Sequence, residues 1–233
     1  MQTGKSDKRA LVITGGSMLR DMPALGSFDL VIAADSGVDS AFAIGLVPDV
    51  AIGDLDSISS EGLDRLRSSD VPVLRSPIDK DATDTELALA HLRNVGATHA
   101  VLLSPGGGRL DHAHGVFSAL ASPALADVAL EAVIGVAHVT VLHGSDSRVV
   151  PRRGSHLTAL HAMNGVARGV RTSGLRWNLL DEELAPWVSR GVSNEMIGSE
   201  ATIALTDGAL LVVQPAAHES LTDNHQPTTG ETR

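Results

Sequence analysis

Three short acidic stretches carry the residues most able to do chemistry. They are Gly53-Asp54-Leu55-Asp56-Ser57, Lys80-Asp81-Ala82-Thr83-Asp84 and Gly106-Gly107-Gly108-Arg109-Leu110-Asp111-His112. Each follows, or lies close behind, an apolar run that reads as a strand. In an open α/β sheet the loops after strand ends converge on one crevice, where ligands bind. Carboxylates gathered there repel one another unless a cation joins them. Mg²⁺ is the natural cation, because it is hard and prefers carboxylate, water and phosphate oxygens. Lys80 and Arg109 stand ready to hold phosphate oxygens, so the pattern points to a Mg-nucleotide site.

Asp54 and Asp56 flank Leu55, and in an extended loop residues two apart point the same way. Asp35, which ends the preceding strand, is placed to reach the same crevice. Asp in a turn or at a strand end also serves as a simple cap. Asp81 and Asp84 open a helix, where the helix dipole favours acidic residues in any case. Gly107 and Gly108 expose backbone N–H groups ahead of another helix, a natural phosphate cradle. Arg109 offers a planar fork to phosphate, and Asp111 can fix that Arg, bind metal or contact a nucleophile. Apart from Lys5 and Lys8 near the start of the chain, Lys80 is its single lysine. No Walker loop and no Gly-x-Gly-x-x-Gly after the first strand is present. There is no Gly-x-Ser-x-Gly elbow and no His-Glu-x-x-His, and His112 and His114 fall on different helix faces. Serine hydrolysis and zinc chemistry are therefore not supported.

The elements that position these residues alternate. Apolar strands are expected at 10–14, 30–34, 50–52, 71–74, 99–103 and 128–134. Helices are expected at 38–44, after a Ser59 or Ser60 cap, after Thr83 with Glu86 at capping-box spacing, and at 112–120. Pro72 marks the fourth strand as an edge or a strand start. The alternation implies a Rossmann-like, mainly parallel sheet with helices over residues 9–135. From residue 136 to 215 the pattern changes to short strands and turns, which reads as an all-β sandwich or barrel. Val139–His143 and Arg148–Val150 flank a turn there. Residues 201–206, Asp207-Gly208 and 209–213 read as a hairpin with a primed turn. The polar stretch 216–233 reads as a disordered tail.

Composition narrows the function further. The chain has 233 residues, 43 % of them apolar, no cysteine and a formal net charge of −10. A core is within reach, while disulfides and thiolate metal sites are excluded. The acidic balance argues against nucleic acid as a partner. With no apolar leader and no run of roughly 18 apolar residues, a cytoplasmic protein with no membrane association is expected. Aromatics are scarce, so Trp177 and Trp187 stand out. Trp177, among polar neighbours, suits an exposed ring that stacks on a flat, cationic heterocycle; for a lone Trp, packing in a small β domain is the commoner role. Trp187 reads as a packing or interface residue. Ser193 and Asn194 suit substrate orientation or a plain turn.

Taken together, the motifs resemble those of the thiamine pyrophosphokinase family from about Val12 to Val213. The resemblance rests on Ala34-Asp35-Ser36-Gly37, Pro48-Asp49, Gly53–Ser57, Lys80-Asp81-x-x-Asp84, Gly107–His112, Gly174-Leu-Arg-Trp-Asn178, Ser193-Asn-Glu195 and the final hairpin. It implies an N-terminal α/β domain, a C-terminal β-sandwich, a homodimer, and transfer of pyrophosphate from ATP to thiamine. Asp54, Asp56 and Asp84 are then the expected Mg²⁺ ligands. Asp56, Asp84, Arg109 and Asp111 are the expected catalytic residues, and Asp35, Ser36, Gly37, Lys80, Asp81, Gly107, Gly108 and Arg109 the nucleotide contacts. Trp177, Asn178, Ser193 and Asn194 are expected on the thiamine side, meeting the nucleotide across the dimer interface. Ser36 is a departure, since the family usually has glycine there. A pyrophosphokinase for another flat alcohol, such as a pterin, and a non-catalytic nucleotide or thiamine sensor are the alternative readings.

Overall fold

The computed structural model describes residues 7–16, 24–75, 81–106 and 109–215. Lys80, Gly107, Gly108 and the 216–233 stretch lie outside the described residues.

The first half alternates as expected: β1 (Arg9–Thr14), β2 (Leu30–Ala34), α1 (Gly37–Ala43), β3 (Val50–Gly53), α2 (Ser60–Ser68), β4 (Val73–Arg75), α3 (Asp84–Asn94), β5 (His99–Ser104), α4 (Leu110–Leu120) and β6 (Ala129–Ile134). These six strands are parallel, in the spatial order β4-β3-β2-β1-β5-β6, with β4 at the edge. Successive residues of β1 explain why: Ala10 and Val12 enter one apolar cluster, while Leu11 and Ile13 enter another on the opposite face. Such two-faced burial needs helices on both sides. Ala88, Leu89 and Leu92 of α3 and Leu120 of α4 cover one face, and Ala41 of α1 covers the other. Farther toward β3, Val38 and Phe42 of α1 pack with Leu66 of α2 on Ala33 and Ala51.

The caps follow the sequence. The Ser59 side chain accepts from Gly62 N, and Thr83 with Glu86 forms a complete capping box at the start of α3. Asp39 accepts from both the N–H and the hydroxyl of Ser59, at 2.8 and 2.6 Å, tying α1 to α2.

The second half contains β7 (Ala137–His143), β8 (Asp146–Pro151), β9 (Leu157–Ala162), β10 (Ala167–Ser173), β11 (Leu180–Leu184), β12 (Asn194–Glu195), β13 (Glu200–Leu205) and β14 (Ala209–Gln214). β7 turns back on β6 in a tight hairpin, Ile134 opposite Ala137. The parallel sheet therefore continues without a break through β7, β14, β9 and β12, giving ten strands in all. A second, four-stranded antiparallel sheet, β11-β10-β13-β8, packs on these added strands.

The expected 201–213 hairpin does not form. β13 pairs with β8 and β10, whereas β14 pairs with β7 and β9. Asp207-Gly208 instead carries the chain from one sheet to the other, with Gly208 at φ 94° and Val166 O only 2.7 Å from where a Cβ would stand. Ala201, Ile203 and Leu205 thus face Leu210 and Val212 across one core. Alternation alone cannot separate a hairpin from two strands facing each other.

Candidate functional site

The chain runs outward from β1 through β2 and β3 to β4, then returns to lay β5 on the other side of β1. That reversal is a topological switch point, where open α/β sheets hold their ligands. A crevice of about 530 Å³ opens there, over the C-terminal ends of the strands. Thr14, Gly15, Gly16, Asp35, Ser36, Ser57, Asp84, Ser104, Gly106, Arg109 and His112 are among its walls, and all its lining residues lie between 14 and 134.

Asp35, Asp54 and Asp56 each bring one carboxylate oxygen to within 4.8 Å of the others. Asp35, expected among the nucleotide contacts, therefore stands with two of the carboxylates expected to bind metal. Asp54 and Asp56 converge by a different device from the extended loop expected of them. Leu55 takes a left-handed conformation (φ 68°) and buries its side chain, with 7 % exposed. Asp54 Oδ1 then accepts from Asp56 N at 3.2 Å, closing a small turn, and Ser57 Oγ donates to Asp56 Oδ1 at 2.9 Å. A left-handed leucine costs roughly 1–2 kcal/mol, and its burial among Val38, Phe42 and Ile58 offsets that strain.

Asp84, first residue of α3, reaches over β3 to the same place. A Cβ built on Gly53 would stand 3.0 Å from Asp84 Oδ1 and 3.4 Å from Asp35 Cβ, so the bare backbone of Gly53 (φ 142°) separates the two acids. Burial raises the Asp35 carboxyl above its usual range, and the charges of Asp84 and Asp56 add to the rise; hydrogen bonding from Ser36 and Ser57 opposes it. Asp35 Oδ1 is buried and has no hydrogen-bond partner among the described residues. A carboxylate with one buried, unpartnered oxygen, grouped with two more carboxylates, is a donor set that fits a hard divalent cation.

Asp35 is itself left-handed (φ 46°). Ser36 turns its hydroxyl onto Gly15, 2.0 Å from where a Cβ of Gly15 would be. The serine is thus accommodated by the glycine of the neighbouring loop. Gly37 has its own packing reason, since a Cβ there would fall 2.2 Å from Ile13 O. The backbone of α1 therefore lies directly on β1. Asp81 is exposed ahead of α3.

At the far wall, Arg109 and Asp111 form a two-toothed pair, Nε to Oδ1 at 3.1 Å and Nη2 to Oδ2 at 2.5 Å. Hydrogen bonding from Arg109 pushes the Asp111 carboxyl down to about 2. Both side chains are mostly exposed. His112 was named from the sequence as the end of the glycine-rich motif, whereas Thr14 was not singled out. His112 lines the crevice, as does Thr14, whose buried hydroxyl has no partner among the described residues. The strand-end position of Thr14 was the available signal.

The residues expected on the thiamine side gather elsewhere. Asn194 is buried; its Oδ1 accepts from Trp177 N at 3.1 Å and its Nδ2 donates to Trp177 O at 2.8 Å. Asn178 Oδ1 accepts from Leu175 N at 3.2 Å. Ser193 is exposed with φ 59°. Trp177 is not a core anchor: 54 % of it is exposed, and the Arg176 guanidinium lies 4.7 Å from its ring centre. Trp187 is more exposed still. This group sits beside β12, at the crevice end of the sheet, because Glu195 pairs with Leu157 at the start of β9. Five strand spacings separate β12 from β5, roughly 24 Å, so the two groups share one end of the molecule without touching.

Fold and crevice define a mixed α/β protein with an acidic crevice at the switch point of a large sheet and a second, antiparallel sheet packed on its extension. Residues 24–132 match the family "Thiamin pyrophosphokinase, catalytic domain", and residues 152–210 match "Thiamin pyrophosphokinase, vitamin B1 binding domain". The chain belongs to the thiamin pyrophosphokinase family. It is 20 % identical to the thiamine pyrophosphokinase of Bacillus subtilis over 185 residues, 79 % of this chain and 86 % of that protein. Its fold is similar to the crystal structure of the Bacillus subtilis protein (TM-score 0.78, 20 % identity, 90 % of this chain and 99 % of the other). It is also similar to that of thiamin pyrophosphokinase from Geobacillus thermodenitrificans (TM-score 0.75, 24 % identity, 91 % and 100 %). The yeast enzyme has the same fold at 16 % identity (TM-score 0.70, 92 % and 88 %).

Proposed function

We propose that this protein is a thiamine diphosphokinase that transfers pyrophosphate from ATP to the hydroxyethyl group of thiamine, with Mg²⁺ as cofactor, giving thiamine diphosphate and AMP. The observation that carries the reading is the convergence of the Asp35, Asp54 and Asp56 carboxylates at the strand ends, with Asp35 Oδ1 buried and unpartnered among the described residues, in a chain matched by both family domains.

Asp35, Asp54 and Asp56 would hold the ion, with Asp84 bordering them. An ion held there would neutralise charge on the phosphates of a bound nucleotide. Residues 9–135 then carry the nucleotide and residues 136–215 the thiamine. Arg109 turns its fork from Asp111 to the phosphates, with Lys80, Gly107 and Gly108 as further contacts. The thiamine hydroxyl oxygen attacks the β-phosphorus as the bond to the α-phosphate oxygen breaks. A carboxylate takes the hydroxyl proton. Asp56, beside the ion, and Asp111, once Arg109 has turned to the phosphates, are the two candidates for that role. Catalysis is then chiefly positioning and charge neutralisation.

The separation of Trp177 and Asn194 from the crevice supports a homodimer in which one protomer's thiamine-side residues meet its partner's nucleotide. That arrangement is part of the proposal, as is a cytoplasmic setting. Among the described residues no helix is long and apolar enough to cross a membrane.

The test is incubation with ATP, Mg²⁺ and thiamine, followed by mass detection of thiamine diphosphate and AMP. Nucleotide binding with no AMP formed would replace this reading with that of a sensor. AMP released with a pterin alcohol, and not with thiamine, would move the activity to another heterocycle. The dimer is tested by mixing inactive Asp54→Asn chains with Trp177→Ala chains: subunit exchange should restore activity, because one interface then holds both intact halves.

A further inference from the structure

Three glycines lie within the helices of the described chain: Gly37 in α1, Gly62 in α2 and Gly115 in α4. Two have a packing reason. A Cβ on Gly37 would meet Ile13 O at 2.2 Å, and one on Gly62 would meet Asp39 Oδ1 at 2.0 Å. Gly115 has none, since nothing among the described residues lies within 4 Å of where its Cβ would stand. Its φ is not positive either, so no backbone conformation demands glycine. Glycine inside a helix is nonetheless unfavourable relative to alanine. Gly115 lines the crevice.

The crevice is graded along its length. Asp35, Ser36, Ser57, Thr83, Asp84 and Thr85 wall the end beneath β2 and β3, whereas Ala113, Gly115, Val116 and Ile134 wall the end between α4 and β6. Four strand spacings separate β3 from β6, about 19 Å, a span that suits a nucleoside triphosphate laid along the strand ends. Its phosphates belong with the cation-binding carboxylates, so its base falls at the apolar end. His112, in the first turn of α4, is the one ring among the described lining residues, and no Phe, Tyr or Trp stands with it. The floor is thin there as well: Gly106 (φ 68°) passes so close to the next loop that a Cβ would be 2.9 Å from Gly135 N.

We propose that Gly115 is a specificity-determining residue for the nucleotide: its missing side chain leaves the slot between α4 and the end of β6 in which the purine base is seated. The inference rests on the nucleotide reading of the crevice. Recognition of the base is then chiefly by shape and aliphatic contact, with no Phe, Tyr or Trp among the described lining residues to stack on it. Any side chain at this position narrows the slot, and a two-ring base suffers more than a one-ring base.

Gly115→Ala gives the test, because the free space lets the variant fold. Its Tm should rise by about 2–4 °C through helix propensity. Calorimetric titration of the full chain in Mg²⁺ should show ATP bound about tenfold more weakly, the scale of one misplaced methyl group in an apolar pocket. CTP should be weakened less, and the KM for thiamine should not change. Gly115→Leu should deepen the loss for ATP. ATP affinity within twofold of the parent in both variants would overturn the assignment of Gly115 while leaving the nucleotide site intact. A fall in Tm for Gly115→Ala would also overturn it, since the slot would not be free. No ATP binding by the parent chain would instead remove the nucleotide reading itself, and this inference with it.

Discussion

Gly53→Ala separates backbone strain from damage to the acidic site, provided it is compared with Gly45→Ala. Both glycines have positive φ, 142° and 79°. A Cβ at Gly45 meets nothing within 4 Å, whereas one at Gly53 stands 3.0 Å from Asp84 Oδ1, 3.1 Å from Asp84 Cγ and 3.4 Å from Asp35 Cβ. Gly45→Ala carries the conformational cost alone, about 1 kcal/mol, or ~2–4 °C in Tm for a chain of this size. Gly53→Ala carries a cost on the order of 1–3 kcal/mol for the unsuitable backbone and also pushes the carboxylates apart. A displacement of 1 Å in a reacting arrangement can lower the rate by about 10²-fold. Thiamine diphosphate formation should therefore stay near normal in Gly45→Ala and fall by about 10²-fold in Gly53→Ala, with a higher Mg²⁺ requirement. The assays are thermal melts and a steady-state Mg²⁺ titration, both well below either variant's Tm. Equal activity in the two variants would refute the claim that the gap over Gly53 sets the spacing of Asp35 and Asp84.

Arg109→Ala should reduce turnover by about 10²–10³-fold with little change in Tm, because the side chain is mostly exposed; near-normal turnover contradicts its phosphate role. Asp35→Asn, in metal-free buffer at neutral pH, should raise Tm and abolish stabilisation by Mg²⁺. The sign follows from the raised carboxyl of the folded state: the folded protein binds the proton more readily, so stability falls as pH rises from the unfolded carboxylate range through the folded value. The Tm advantage of Asp35→Asn should therefore shrink as pH is lowered through that window, and melts across acid pH check it. Trp177→Ala should raise the KM for thiamine while moving stability by no more than about 0.5 kcal/mol, as for an exposed position; an unchanged KM would leave the ring without a role.

Much of the fold was legible because local signals agreed. Thr83 and Glu86 announce the start of α3 in both sequence and structure, and Val71-Pro72 places β4 at an edge. The strands of the first half read as unbroken apolar runs because they are buried on both faces. What escaped was pairing at a distance. Asp207-Gly208 has the chemistry of a hairpin turn, yet the strands it joins belong to different sheets, a choice made by the opposing core rather than by the turn. Within the site, the acidic loops were visible from spacing. The left-handed Leu55 was not, because leucine has no preference for that conformation and adopts it only where a pocket awaits the side chain. Exposure of Trp177 was one of two readings left open from the sequence, because the bonds with Asn194 that hold its backbone come from a residue far along the chain.

The hairpin at residue 135 has mechanical consequences. β7 and β14 send alternate side chains into the helix-covered layer and into the sandwich, so neither half can swing on the other without tearing a shared hydrophobic seam. Substrate capture cannot rely on a clamshell motion within one protomer. A chain cut at this hairpin would be left with a raw sheet edge at β6 and an uncovered flank on α4, and should aggregate rather than fold. Heating the intact protein should accordingly give one cooperative melt instead of two.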